Sequence, residues 1–247
     1  MAAHRKSFPA LREANCSPVN KRRMRVTGRA GGAYHGTSTW LRKSVLKWFG
    51  NCGRCFPWRK ARLSLYRRII TEVLLQRTQA EAVARFFDNF MEEFPGWPAL
   101  ARASTRRIGA VIKPIGLWRR RAKSLSALAS VMARRRGRFP KTREAIEELP
   151  GVGQYIANAI LLFAWDQPEP LLDVNMARVL ERFFGPRALV DIRFDPGLQA
   201  LARDVVQGSR AVEVNWAILD LAAMICRTRN PRCEECPLRF RCRRFGV

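Results

Sequence analysis

Apolar residues along this chain recur mainly at three- and four-residue spacing. The first clear case is Trp40, Leu41, Val45, Leu46, Trp48 and Phe49, which predicts a helix. Cys55-Phe56-Pro57-Trp58-Arg59 breaks it at the proline. Leu65, Ile69, Ile70, Val73 and Leu74 predict a second amphipathic helix. Thr78 and Glu81 have the spacing of a capping box and predict the start of a third, with Val83, Phe86, Phe87 and Phe90 on its inner face. Phe94-Pro95-Gly96 should stop that helix. Shorter helical stretches are predicted around 98–102, 105–112 and 119–134. Residues 142–149 and 154–165 flank a Pro-Gly-Val-Gly turn, and helices around 174–184, 197–207 and 211–225 follow. Strand-like alternation is absent, and so is any fixed-period repeat. The expected fold class is all-α.

Residues 1–37 lack a sustained period. They are rich in Arg, Lys, Gly, Ser and Ala and carry one acid, Glu13. They read as a disordered basic tail that adds non-specific attraction to a polyanion, or as an organelle transit peptide.

Composition narrows the function. Of 247 residues, 47% are hydrophobic and 10% aromatic, enough for a real core of one large domain or two small ones. Lys plus Arg is 46 against 20 for Asp plus Glu, a formal charge of +26. Such a surplus points to nucleic acid as partner. No apolar run reaches the roughly 18 residues of a membrane span, and no secretory leader pattern opens the chain. An intracellular protein of the cytoplasm or nucleoid, acting as a monomer, is expected. Only two His occur, His4 and His35, which disfavours a His general base or a His-rich metal site.

Leu149-Pro150-Gly151-Val152-Gly153 sits between two predicted helices. Its glycines permit a tight turn, and the next helix begins there with unsatisfied N–H donors and a positive dipole end. Such a hairpin can anchor a phosphate without reading sequence. Four of the seven Cys fall in the last 22 residues: Cys226, Cys233, Cys236 and Cys242, spaced C-x6-C-x2-C-x5-C. Four thiolates in one short loop suit a metal centre in a reducing compartment. Spacing alone leaves zinc and a [4Fe–4S] cluster open, with the single C-x2-C pair favouring iron–sulfur. Seven Arg thread the same segment and would be presented to a phosphate backbone. Cys52 and Cys55 form another C-x2-C, with no second pair nearby and an expected structural role.

The hairpin, an Asp twenty residues beyond it and the C-terminal cysteine spacing together resemble the helix-hairpin-helix (HhH-GPD) DNA glycosylases. The resemblance covers roughly 40–242. It implies two helical lobes with DNA between them and a target base flipped into a pocket. The lobe carrying a [4Fe–4S] cluster would comprise 38–62 and 174–247, and the lobe carrying the hairpin 63–173. It implies that Cys226, Cys233, Cys236 and Cys242 hold the cluster and that Leu149, Gly151, Val152 and Gly153 touch DNA.

It further implies that Asp173, in Leu172-Asp173-Val174-Asn175, is the catalytic carboxylate, although Asp173 also stands where a helix N-cap would. Thr71-Glu72-Val73-Leu74-Leu75-Gln76-Arg77-Thr78 resembles the mismatch-glycosylase helix, with Glu72 a general acid whose apolar surroundings should raise its pKa. Gln76 and Arg77 then become DNA contacts. Tyr155 falls where bifunctional members carry a Schiff-base Lys, so a monofunctional enzyme is expected. Ile115-Gly116-Leu117-Trp118-Arg119 offers Trp118 as a stacking wedge, with Arg119 beside it.

The expected substrate is thymine or uracil opposite guanine. Adenine excision is the alternative, but the adenine branch's Gly-Leu-Gly-Tyr-Tyr wedge is absent, and five residues after Cys242 leave no room for the 8-oxoguanine-reading domain that branch usually carries. Asn158 fits the endonuclease III pattern. A catalytically dead DNA-binding module and a zinc-dependent DNA-binding factor are the rivals from other classes.

Overall fold

A computed structural model describes residues 34–246. Among them twelve α-helices occur and no strand. They are α1 (Tyr34–Cys52), α2 (Leu65–Leu75), α3 (Ala80–Glu93), α4 (Trp97–Arg102), α5 (Thr105–Ile112), α6 (Trp118–Arg134), α7 (Arg143–Glu147), α8 (Gln154–Trp165), α9 (Val174–Phe184), α10 (Pro196–Val206), α11 (Ala211–Met224) and α12 (Arg243–Gly246). The all-α expectation holds, and most helices lie within a residue or two of their apolar periods.

Two expectations at helix starts are corrected. The basic tail expected over 1–37 lies outside the described residues through 33, and residues 34–37 already belong to α1. Helix α3 has Gln79 as its N-cap, without a side-chain bond, so the Thr78–Glu81 capping box does not form. Thr78 instead accepts from Arg121, and Glu81 pairs with Arg54. Ser64, Ser104, Thr142, Asp173 and Asp195 do cap their helices with side-chain oxygens.

The buried apolar residues form two cores. The first runs from Phe56 and Trp58 through the inner faces of α2–α8 to Leu171, with Ala211 added. The second joins Leu41, Val45 and Trp48 of α1 to the inner faces of α9, α10 and α11, from Leu172 to Leu238. Helix α8 is buried nearly all round from Ile156 to Leu162, as its unbroken apolar sequence requires. No helix among the described residues is long and apolar enough to cross a membrane.

Candidate active site and cysteine loop

The chain passes from one core to the other between Leu171 and Leu172, and Asp173 follows at once. Two buried amides fix that crossing. Asn158 on α8 donates to the Pro170 carbonyl at 2.8 Å and accepts from Arg143 at 2.9 Å. Asn215 on α11 accepts from the Leu171 N–H at 2.6 Å and donates to the Glu169 carbonyl. Asp173 then caps α9: Oδ1 accepts from the N–H groups of Asn175 and Met176 at 2.9 and 2.8 Å. Oδ2 accepts from the Asn175 side chain at 2.6 Å. Capping and the expected catalytic role fall on the same carboxylate, half-buried and held in one orientation.

Glu72 lies buried on α2, and the Tyr155 hydroxyl, from the first turn of α8, donates to its Oε2 at 2.8 Å. Burial raises the Glu72 pKa from 4.5 to about 7; the Tyr155 bond and the Arg59 guanidinium oppose the rise, and the Asp173 carboxylate adds to it. Burial beside those two carboxylates also pushes the Tyr155 phenol up. The three expected site residues, far apart in sequence, therefore share one electrostatic neighbourhood. Arg59 is itself held by Asp220, a fully buried carboxylate that also takes two bonds from Arg54.

In the hairpin, Gly151 has φ +74, and a Cβ there would stand 2.9 Å from the Ser124 Cβ on α6. A Cβ on Gly153 would meet nothing within 4 Å. Gly153 caps α8 without a side-chain bond, so no side chain covers the first-turn donors. Leu149 and Val152 are buried in the first core, so their side chains are not surface contacts; the hairpin's exposed part is Gly151 and Gly153.

The wedge expectation is also corrected. Trp118 packs against the first core, and a Cβ on Gly109 would strike its ring at 2.9 Å; exposed Arg119 lies over its face. Leu117 is the apolar tip, 59% exposed and held at φ +48 after Gly116 at φ +70. Gln76 and Arg77 are exposed on the turn after α2, Arg77 at φ +54.

Cys226, Cys233, Cys236 and Cys242 line one cavity with Ile225, Phe245 and three Arg, 182, 239 and 244. Burial pushes the Cys236 thiol up to about 12, and the other three sulfurs add to the rise. Four thiols gathered at one cavity are a soft donor set that fits a metal–thiolate group. No three His, Cys, Asp or Glu among the described residues are grouped to hold a single metal ion. The loop is wired to the site: Arg178 donates to the Asn175 side-chain oxygen at 3.2 Å and to the Cys226 carbonyl at 2.9 Å. Cys52 is buried and Cys55 exposed, so that second pair shares no environment.

Fold and site together define an all-helical protein with a helix-hairpin-helix turn and a buried acid–phenol pair beside a helix-capping aspartate. Residues 70–191 match the HhH-GPD superfamily base excision DNA repair protein family. A thymine-DNA glycosylase of Aeropyrum pernix is 40% identical over 207 residues, 82% of this chain and 92% of that protein. The adenine DNA glycosylase of Homo sapiens is 32% identical over 220 residues, 83% of this chain but 39% of its own length. The solved structure of a thermostable thymine-DNA glycosylase superposes with a TM-score of 0.77 at 32% identity, covering 85% of this chain and 97% of that one. The chain belongs to the HhH-GPD superfamily of base excision DNA repair proteins.

Proposed function

We propose that this protein is a monofunctional DNA glycosylase that removes thymine or uracil mispaired with guanine. The observation that carries the reading is the Tyr155–Glu72 pair beside the Asp173 cap, with a phenol where a Schiff-base amine would be needed. The flipped nucleotide places its C1′ at Asp173. As the N-glycosidic bond breaks, its electron pair leaves with the base and positive charge grows on the sugar. Asp173 stabilises that charge, orients the water that adds to C1′ and takes the proton that this water loses. Glu72, neutral below about pH 7, gives its proton to the departing base. Backbone donors at Gly153 and the start of α8 hold a phosphate, and the turns carrying Gln76 and Leu117 enter the duplex.

The test is single-turnover excision on otherwise identical duplexes carrying T·G, U·G, A·G, A·8-oxoguanine or thymine glycol, with and without alkali. Cleavage at T or U opposite G, visible only after alkali, is expected. Excision of adenine would move the chain to the adenine branch. Nicking without alkali would supply a nucleophile this reading lacks. Cleavage of none would leave a DNA-binding module.

We read the cysteine loop as the seat of a [4Fe–4S] cluster bound by Cys226, Cys233, Cys236 and Cys242. When bound, the cluster pins the Arg-rich loop as a fixed cationic surface. Anaerobically purified protein should absorb near about 400 nm, and Cys236→Ala should lose that band together with a cooperative melt of the loop. A colourless wild type holding zinc would overturn the assignment.

The two hairpin glycines should separate. Gly151→Ala is expected to cost about 1–2 kcal/mol, because φ +74 and Ser124 both oppose a Cβ. Gly153→Ala should leave stability within about 0.5 kcal/mol and weaken duplex binding, because its Cβ fills the space a phosphate needs. Thermal melts and a binding titration check both.

A further inference from the structure

Arg121 lies in the first turn of α6 and is 8% exposed. No carboxylate pairs with it among the ion pairs of the described residues; its acceptors are the Gln76 carbonyl, the Thr78 hydroxyl at 2.8 Å and the Ile115 carbonyl at 3.4 Å. A buried guanidinium without a counter-charge is costly. What it holds is informative. Gln76 and Thr78 flank Arg77, at φ +54; Ile115 precedes Gly116 and Leu117, at φ +70 and +48. Strained turns of this kind persist only where surrounding contacts over-determine them. One side chain thus grips two strained, exposed turns that are some forty residues apart in sequence.

We propose that Arg121 is a positioning residue that ties the Gln76–Arg77 turn and the Gly116–Leu117 turn into one rigid DNA-opening unit. The inference rests on the base-flipping glycosylase reading. Arg121 does not reach the reacting atoms. It fixes the separation of the two tips, so that both engage the duplex in one step. The guanidinium fork serves two carbonyls and a hydroxyl at once, which a single ammonium cannot do.

The test compares Arg121→Met and Arg121→Lys with wild type on two substrates. One is the paired mismatch, with 2-aminopurine beside the target to report base opening. The other places the same target opposite an abasic site, where it is already unpaired. Arg121→Met should keep its affinity for undamaged duplex, lose the 2-aminopurine signal and excise the paired target about 100-fold more slowly, while losing under about 10-fold on the unpaired one. Arg121→Lys should recover part of the paired rate. Equal losses on both substrates, or no loss, would overturn the proposal. If Arg121→Met does not fold by circular dichroism, Thr78→Val, which removes one acceptor, should show a smaller split in the same direction, and its absence overturns the proposal equally. A wild type that excises nothing refutes the glycosylase reading instead. The opening signal, present in wild type and lost in Arg121→Met, would then still support the tie, and its absence from wild type would refute the tie as well.

Discussion

Asp173→Asn should give a folded protein that binds mismatched duplex as wild type does and excises the base about 1,000-fold more slowly, or worse. The substitution is nearly isosteric. An Asn oxygen at the Oδ1 position still accepts the Asn175 and Met176 N–H groups, so the cap survives to within about 0.5 kcal/mol. The charge that would meet an oxocarbenium ion does not survive. The second oxygen becomes an NH2 facing the Asn175 amide donor, while that amide's own oxygen is engaged by Arg178. Single-turnover excision and an equilibrium binding titration separate the two effects. Excision within tenfold of wild type would remove Asp173 from the chemistry.

Glu72→Gln should stabilise the protein and disable it at once. The Glu72 carboxyl titrates at about 7 when folded, against 4.5 for an ordinary glutamate. A raised pKa makes the folded state the tighter proton binder. The group's stabilising contribution is therefore complete below pH 4.5 and is lost as pH climbs through 7. The loss reaches about 3 kcal/mol. Gln cannot ionise, yet it offers an oxygen to the Tyr155 hydroxyl. The variant should match wild type near pH 4.5 and exceed its stability by up to that amount at pH 8, read by urea unfolding at the two pH values. Excision should fall by about 100-fold near pH 6, the low end for a lost general acid. Wild-type excision should decline above about pH 7, and the variant's residual rate should not. A stability gain paired with an activity loss is the mark of a residue kept for function. A variant no more stable at pH 8 would show that Glu72 is already ionised there without cost.

The helices were legible because their apolar positions repeat over several turns, and the deviations have local causes. At residues 34–37 too few apolar positions precede Trp40 to show a period, yet α1 has begun. Thr78 and Glu81 have capping-box spacing, but Arg121 and Arg54 engage their side chains, and neither partner is visible locally. Trp118 and Leu117 are adjacent, and spacing cannot say which one faces solvent. The signal was Gly116, which announces a left-handed turn and throws the next side chain outward. Glu72, Tyr155 and Asp173 could be grouped beforehand only through the family resemblance, since nothing in their spacing brings them together. Asn215 was missed, and Asn158 was noted only as a pattern match. A buried amide looks like a surface one in sequence, apart from apolar neighbours such as Ala157 and Ala159 or Val214 and Ala217. Asp220 and Arg59 were missed for the same reason.

The two cores differ in how much of the chain each must wait for. Most of the first closes within one continuous stretch, from Phe56 to Leu171. The second needs Leu41, Val45 and Trp48 from one end and α9 to α11 from the other. Of the helices in the second core α1 is made first, and its apolar stripe stays uncovered while more than a hundred intervening residues are made. Glu72 and Tyr155 can meet as soon as the first core closes. Asp173 is not seated until α9 to α11 have docked. A nascent chain that lacks α9 to α11 therefore brings Glu72 and Tyr155 together without the Asp173 carboxylate beside them.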